Sequence, residues 1–212
     1  MLIYFIRHGR TTHLEEHRYQ TPESSLSANG EVQASKVAER LKDLAIQEIW
    51  TSPMARAKET TTFINQSHHV PVVEYPQLSE IRRASIITGK IHTDPEIQAA
   101  LKVIHDERDK RNPYFRYEDG ESLADVIERA KEFLQILEDH SQGKDNSYLL
   151  CVTSHGISLS IILLCVLLGR EATPELIMST LYQTGIENTG ISVVSVNDKK
   201  WKLITLNDFA HL

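Results

Sequence analysis

The amino-acid sequence predicts an α/β protein, specifically a three-layer α/β/α sandwich around a mainly parallel sheet with one antiparallel strand. Short apolar runs typical of buried strands alternate with segments whose apolar residues repeat every three or four positions. The last two runs are predicted to form a hairpin, which adds the antiparallel strand. Because the chain has 212 residues and no linker or repeat, we expect one domain that spans residues 1–212.

Strands and helices alternate in the first part of the chain. Leu2 to Ile6 is an apolar run of strand-forming residues, and Ser27 is a good N-cap for the helix that follows. Ile46 to Thr51 is the second predicted strand. Ser52-Pro53 then pairs an N-cap with a proline at the first helical position, so the next helix is predicted to begin there.

The second part of the chain continues the alternation. Val70 to Tyr75 is a third candidate strand, which Pro71 assigns to a sheet edge or a strand start. A helix from Glu96 to about Arg111 follows an irregular segment, and a capping box at Ser122 begins the most regular helix. The remaining elements are a strand at Ser147–Thr153 and a buried helix at Ile157–Leu168. The closing hairpin is formed by Gly190–Val196 and Trp201–Leu206.

Charge and cysteine content argue against several classes of protein. The chain has 23 Lys and Arg against 29 Asp and Glu, a net charge of −6, so no broad basic surface is expected for nucleic acid or anionic lipid. No signal peptide is recognisable, and the longest apolar stretch is shorter than the roughly 20 residues of a membrane helix. Cys151 and Cys165 lie in apolar runs and resemble buried thiols. We therefore expect a cytoplasmic protein that binds neither nucleic acid nor membranes.

Charged or titratable residues follow all four of the predicted parallel strands. Arg7-His8 follows the first strand, Arg56 the second, Glu80 the third and His155 the fourth. Because the carboxyl ends of parallel strands meet at one edge of the sheet, these side chains are predicted to converge there. Two arginines and two histidines make a compact cationic pocket, and a guanidinium group matches the oxygens of a phosphate. The predicted ligand is therefore a phosphoryl group.

The chemistry of this pocket favours phosphoryl transfer. Helices predicted to begin at Pro53 and Gly156 are expected to add backbone N–H donors. A neutral imidazole attacks phosphorus well, and neighbouring arginines oppose its protonation. A carboxyl such as Glu80 can protonate the leaving group. Each of these residues alone is more often structural, so the hypothesis rests on the set.

Several strings of residues resemble the histidine phosphatase superfamily, also called the phosphoglycerate mutase-like family. They are Arg7-His8-Gly9, Thr51 to Thr60, Thr153 to Gly156, Leu26-Ser27-x-x-Gly30 with Gln33-Ala34, and Asp119 to Ser122. The resemblance implies the same three-layer fold and a reaction through a phosphohistidine that needs no metal and no cofactor. It implies that His8 is the nucleophile and Glu80 the proton donor, while Arg7, Arg56 and His155 hold the phosphoryl group.

The resemblance also suggests residues that contact the substrate. Arg18 fits a loop pattern of the family, and Gly156 follows the second histidine. Arg82 is positioned in sequence to contact a second anionic group of the substrate. We expect a histidine acid phosphatase-type phosphomonoesterase, a hydrolase in the phosphatase branch, that acts on a phosphorylated small molecule.

Four features depart from the family's pattern. Arg10 occupies a position where many relatives have an acidic or polar residue. Leu14 replaces a frequent asparagine, and Thr21 replaces the usual glycine. The loss of the asparagine removes one hydrogen bond expected in the phosphate pocket. The loop Ile81 to Ser85 lacks the tryptophan-containing stretch that is common among mutases, which makes a glycolytic mutase a weaker alternative.

Other functions remain open at the level of sequence. A phosphoglycerate mutase-type phosphoryl transferase differs from a phosphatase in the acceptor that attacks the phosphohistidine, which is a second hydroxyl and not water. A non-catalytic module that binds a phosphorylated ligand is a further alternative, although it usually lacks the histidine or the acid. A metal hydrolase is disfavoured because no histidines or cysteines have the spacing of metal ligands. The natural substrate and the oligomeric state stay open.

Overall fold

The computed structural model, which describes residues 1–181 and 183–212, contains a six-stranded sheet with helices on both faces. The strands are β1 (Leu2–Arg7), β2 (Ile46–Thr51), β3 (Val72–Glu74), β4 (Leu149–Ser154), β5 (Ile191–Asn197) and β6 (Lys200–Asp208). Their order in the sheet is β3-β2-β4-β1-β5-β6. β5 pairs antiparallel with both neighbours, and the other pairs are parallel. The predicted sheet, mainly parallel with one antiparallel strand, is confirmed.

Helices cover both faces of this sheet. They are α1 (Thr12–Glu15), α2 (Ala28–Leu41), α3 (Ala55–Asn65), α4 (Pro95–Asp109), α5 (Leu123–His140), α6 (Gly156–Leu168) and α7 (Pro174–Leu181). α2 and α3 share an apolar core with one face of the sheet, and α5, α6 and α7 share a core with the other. In β1, Ile3 and Phe5 face α5 to α7 while Ile6 faces α2 and α3, since neighbouring strand residues point to opposite faces. The central strands are therefore apolar along their length.

Several local predictions are confirmed. Ser27 caps α2, and its Oγ accepts a hydrogen bond from Gly30 N at 3.1 Å. Ser122 and Asp125 form the predicted capping box of α5. The third strand lies at a sheet edge, as Pro71 indicated, but it is limited to Val72–Glu74. The sequence-based prediction missed the short helices α1 and α7.

The prediction that a helix begins at Pro53 is wrong. α3 begins at Ala55, with Met54 as its N-cap. The Ser52 hydroxyl lies 2.7 Å from Nε2 of His155 and accepts only a longer bond, 3.3 Å, from the amide of Met54. Ser52 therefore has its principal partner far along the chain, which the local sequence pattern does not show.

A third, smaller apolar cluster lies outside the sandwich. It consists of buried residues between β3 and α5, namely Ala84, Ile87, Ile97, Ala100 and Leu101. Tyr19, from the loop between β1 and α2, packs against this cluster, and a bridge between Arg18 and Ile91 joins the two segments. This cluster gives the irregular part of the chain a defined position beside the sheet.

The register of the sheet determines where the functional side chains emerge. Arg7 at the end of β1 pairs with Ser154 at the end of β4. Thr51 at the end of β2 pairs with Thr153. Because these three strands end level, the residues that follow them emerge at one edge of the sheet. These residues are His8, Ser52 and His155.

The loop after β1 packs closely against the beginning of α2. A Cβ atom on Gly9 would lie 2.5 Å from the carbonyl oxygen of Gly30, and a Cβ atom on Gly30 would overlap the carbonyl group of Arg10. Ser27 N also donates to the carbonyl oxygen of Arg10 at 2.9 Å. The two glycines thus allow the backbone contact that holds the segment after His8.

We expect Gly30→Ala to lower the free energy of unfolding by about 1–3 kcal/mol, because the added methyl group has to displace backbone. Urea denaturation followed by circular dichroism measures this change. Gly185→Ala is the matched control, because nothing lies within 4 Å of a Cβ atom at that position. Equal losses in the two variants would contradict the close contact between α2 and the loop.

Candidate active site

His8 is buried at the carboxyl edge of the sheet, with 1% of its surface exposed. Its Nδ1 lies 2.6 Å from the carbonyl oxygen of Gly9. A carbonyl oxygen can only accept a hydrogen bond, so the hydrogen bonding assigns the imidazole proton to Nδ1. Nε2 then keeps its lone pair and accepts a hydrogen bond from Nε of Arg56 at 3.2 Å. This tautomer makes Nε2 the nucleophilic atom of the ring.

The surroundings of His8 keep its imidazole neutral. Burial lowers the pKa of His8 well below its ordinary value, and the nearby charges of Arg56 and Arg7 lower it further. The carbonyl of Gly9 opposes this change without reversing it. The histidine is therefore available as a nucleophile at neutral pH.

Arg56 projects from the first turn of α3 and is also buried, with 2% of its surface exposed. In addition to the bond with His8, its guanidinium group donates to the carbonyl oxygen of Thr21 at 2.9 Å and contacts Sδ of Met54 at 3.2 Å. Burial lowers the pKa of Arg56 to about 10. The group thus stays charged at neutral pH and provides a positive charge directly beside the nucleophile.

The guanidinium group of Arg7 lies on the other side of the site, against the beginning of α6. It donates a hydrogen bond to the carbonyl oxygen of Ile186 at 2.5 Å. A Cβ atom on Gly156 would lie 3.3 Å from Nε of Arg7, so the glycine permits this close approach. Nε of Arg7 is buried and has no hydrogen-bond partner within the described residues. It therefore remains available to a bound anion.

His155 lies next to His8, with the two ring centroids 5.0 Å apart. Its Nε2 is 2.7 Å from Oγ of Ser52. The same hydroxyl also accepts the amide hydrogen of Met54. The other ring nitrogen, Nδ1, is buried and has no hydrogen-bond partner within the described residues. Burial, followed by the charge of Arg56, lowers the pKa of His155 well below its ordinary value.

Glu80 follows the 3₁₀ turn Pro76–Leu78 and lies at the N-terminus of α6. Its carboxylate accepts hydrogen bonds from the amides of Ile81, Ile157 and Ser158 at 3.0, 3.2 and 3.2 Å, and from the hydroxyl of Ser158 at 3.3 Å. The amides of α6 that were expected to face a phosphate are thus engaged by Glu80. At α3, Ala55 N donates to the carbonyl oxygen of Pro22. These amides of α3 and α6 are therefore not free to bind a phosphate.

A cavity of about 540 Å³ opens beside this cluster. Arg7, Arg56, Glu80 and Gly156 lie in its wall, while His8 and His155 are buried and do not line it. The wall also contains other predicted residues and the positions that depart from the family's pattern, namely Arg18, Arg82, Leu14 and Thr21. Five arginines and only two carboxylates line the cavity, so it carries net positive charge within an acidic protein.

The cavity wall farther from His8 includes Arg18 and Arg82, which make some hydrogen bonds within the protein. Arg18 pairs with Glu16 and donates to the carbonyl oxygen of Gly89. Arg82 donates from Nε to the carbonyl oxygen of Asp119 at 3.0 Å. Leu14 offers an apolar side chain where an asparagine amide was expected. Arg10 is exposed and does not line the cavity.

The loop before β5 contains functional residues that the sequence-based prediction missed. Asn188 donates from Nδ2 to the carbonyl oxygen of His8 at 2.8 Å, and Thr189 N donates to the carbonyl oxygen of Arg7 at 2.9 Å. Thr189 has a φ of 58°, which is strained for a β-branched residue. Its hydroxyl lies 3.1 Å from Nε2 of His211. This loop holds the backbone of the Arg7-His8 pair, and no local sequence pattern identifies it.

Metal binding and membrane insertion each require a recognisable arrangement of residues. Within the described residues, no group of three or more histidine, cysteine, aspartate or glutamate side chains is arranged to hold a metal ion. None of the helices in the same residues is long and apolar enough to cross a membrane. Cys151 and Cys165 are free thiols and are buried, as predicted.

We expect the His8 imidazole to be neutral, with its proton on Nδ1, at pH 6.5, where a free imidazole is half protonated. Because its pKa is lowered, the His8 ring takes up a second proton only at a more acidic pH. Nitrogen-15 NMR of the ring nitrogens distinguishes the two tautomers and the doubly protonated ring, and the His8→Gln variant assigns the signals. A doubly protonated His8 at pH 6.5 would contradict the described electrostatics.

Comparisons with known proteins agree with this geometry. The model of the histidine phosphatase superfamily (branch 1) matches residues 3–209. A protein from Escherichia fergusonii named "Probable phosphoglycerate mutase GpmB" is 29% identical, over 99% of this chain and 94% of its own length.

Two solved structures show the same fold at low sequence identity. The alpha-ribazole phosphatase of Shigella flexneri superposes with a TM-score of 0.82 at 22% identity, covering 98% of this chain and 96% of that chain. The mycobacterial glucosyl-3-phosphoglycerate phosphatase has a TM-score of 0.78 at 20% identity, covering 97% and 98%. Since the family model spans nearly the whole chain, this protein belongs to the histidine phosphatase superfamily (branch 1).

Proposed function

We propose that this protein is a phosphomonoester phosphatase that forms a phosphohistidine on His8, needs no metal ion and uses Glu80 as its proton donor. The observation that carries this proposal is the buried, neutral imidazole of His8, whose Nε2 lone pair lies beside the Arg56 guanidinium. This arrangement combines a nucleophile with a positive charge that stabilises phosphate oxygens.

In the first step, Nε2 of His8 attacks phosphorus and the bond from phosphorus to the leaving oxygen breaks. Arg7, Arg56 and His155 supply donors to the phosphoryl oxygens as their charge is redistributed. The leaving oxygen takes a proton from Glu80.

In the second step, water attacks the phosphohistidine. Glu80, now a carboxylate, accepts a proton from this water as its oxygen bonds to phosphorus. The nitrogen–phosphorus bond breaks, and Nε2 of His8 regains its lone pair. Inorganic phosphate leaves, and the enzyme returns to its starting state.

The choice of phosphatase over mutase rests on access of water to the cavity. Exposed residues, among them Pro22, Arg82, Arg83 and Gly185, form part of the cavity wall, so water reaches the site. The loop after Glu80 lacks a tryptophan that would help to close it. Two structural neighbours are named as phosphatases, whereas the name of the GpmB relative favours a mutase. The mutase is therefore the second candidate, and release of inorganic phosphate distinguishes the two.

The substrate in this proposal is a phosphorylated small molecule, and nucleic acid and membranes play no part in its binding. The net charge of −6 supports this choice, because an acidic protein offers no broad basic surface to a polyanion, while five arginines line the cavity. Location in the cytoplasm stays a prediction from the sequence.

We expect the wild-type protein to hydrolyse p-nitrophenyl phosphate in excess EDTA and His8→Ala to lose this activity, because the variant has no nucleophile. Release of nitrophenolate and of inorganic phosphate is measured together. His68→Ala is the matched control, since His68 does not line the cavity and should keep wild-type turnover.

Each other outcome has a distinct meaning. Loss of wild-type activity in EDTA that zinc or magnesium restores would refute metal independence. Transfer of phosphate to an added alcohol with no release of inorganic phosphate would favour the mutase. Absence of turnover and of acid-labile phosphate on His8 with any phosphodonor would favour a binding module.

We expect Glu80→Gln to lose activity mainly with alkyl phosphates, since an alkoxide leaving group needs a proton and nitrophenolate hardly does. The ratio of kcat/KM for an alkyl phosphate over kcat/KM for p-nitrophenyl phosphate is expected to fall by about 10²-fold or more, within the range of general acid catalysis. Equal losses with both substrate types would count against Glu80 as the proton donor.

A further inference from the structure

A second cavity of about 260 Å³, here called the apolar annex, lies beside the active-site cavity and shares part of its wall. Its walls come from α4, from the segment between α4 and α5, and from α5, α6 and α7. Apolar side chains make up most of this wall, including Leu101, Ile104, Phe115, Leu123 and Met178. None of these five residues lines the active-site cavity itself, so the annex is a separate compartment.

The two cavities meet at a shared wall. Tyr19, Ile81, Arg83, Ile157 and Leu181 line both of them. Three of these residues are aliphatic, and the aromatic ring of Tyr19 lies under the guanidinium group of Arg83 at 4.9 Å. The wall that the two cavities share is therefore mainly apolar.

The shared wall lies beside Glu80. The amides of Ile81 and Ile157 donate to the Glu80 carboxylate at 3.0 and 3.2 Å, and the same two residues line both cavities. In the proposed reaction, Glu80 protonates the leaving oxygen. The group attached to that oxygen would consequently lie next to the wall shared with the annex.

The carboxylates in the annex wall already have partners within the protein. Glu107 accepts hydrogen bonds from Lys110 and Asn112. Glu121 accepts from Arg129 and from the amide of Arg82. The wall also contains Arg83, which lies over the Tyr19 ring, together with His105 and Arg108. Because both carboxylates have partners and most of the wall is apolar, we expect the annex to favour an apolar occupant over a polar one, which would lose its hydration.

We propose that the apolar annex binds an alkyl or aromatic segment of the leaving group, so that the substrate is a phosphomonoester with an extended apolar part. This inference rests on the proposed phosphatase function. A compact polar leaving group occupies only the active-site cavity and leaves the annex unused. The annex thus selects among phosphomonoesters while the arginines and histidines bind the phosphoryl group common to all of them.

The test uses the full chain and a series of n-alkyl phosphates from ethyl to octyl. The alcohols released differ little in basicity, so differences in kcat/KM report binding of the chain. We expect kcat/KM to rise about fourfold for each methylene group that enters the annex. Constant kcat/KM across the series, with normal hydrolysis of p-nitrophenyl phosphate, would overturn the annex proposal and leave the phosphatase intact.

A second measurement locates the binding site of the alkyl chain. Ile104→Trp places a larger side chain in the annex and should reduce the ratio of kcat/KM for hexyl over ethyl phosphate at least tenfold. Val103→Trp on the same helix is the matched control, because Val103 is 43% exposed and lines neither cavity. It should keep the wild-type ratio.

The remaining outcomes are also decisive. A wild-type ratio in a folded Ile104→Trp protein would place the alkyl chain elsewhere and refute the proposal. If that variant does not fold, Met178→Phe fills the annex from α7 and is judged by the same ratio. Failure of the wild-type protein to hydrolyse any phosphomonoester would overturn the proposed phosphatase, whatever the annex binds.

Discussion

The hydrogen bond between Nδ1 of His8 and the carbonyl oxygen of Gly9 is the interaction on which the site depends. It leaves the Nε2 lone pair facing Arg56, as the proposed nucleophile requires, since the opposite tautomer would present a hydrogen there. Gly9, whose carbonyl oxygen accepts this bond, lies against Gly30 of α2, and only glycine at both positions permits this contact. Packing of the fold and chemistry of the histidine are thus linked through a few backbone atoms.

Burying two arginines beside two histidines costs free energy, because like charges and lost hydration both disfavour the cluster. The structure limits this cost in two ways. The histidines stay neutral, and Glu80 provides a nearby negative charge that favours the charged forms of Arg7 and Arg56. An anionic phosphoryl group would offset the remaining cost, which explains why unpartnered buried nitrogens of Arg7 and His155 are tolerated here.

The two parts of the expected substrate meet different parts of the fold. The sandwich itself would hold the phosphoryl group, because level strand ends bring His8 and His155 together. The segment between β3 and α5, with its own small apolar cluster, contains Glu80 and forms part of the wall that would face the leaving group. Within this segment, α4 contains none of the residues proposed to act on the phosphoryl group.

The sequence by itself determined the alternation of strands and helices, the sheet type and the residues at the strand ends, because apolar periodicity and capping are local properties. Only the tertiary structure decided that Ser52 bonds His155 and does not cap α3, that Asn188 holds the backbone of His8, and that Glu80 occupies the beginning of α6. These partners lie between 77 and 180 residues apart in the sequence and are close to each other only in the folded chain. Such contacts depend on strand register and on how loops cross the sheet edge, and no local pattern encodes them.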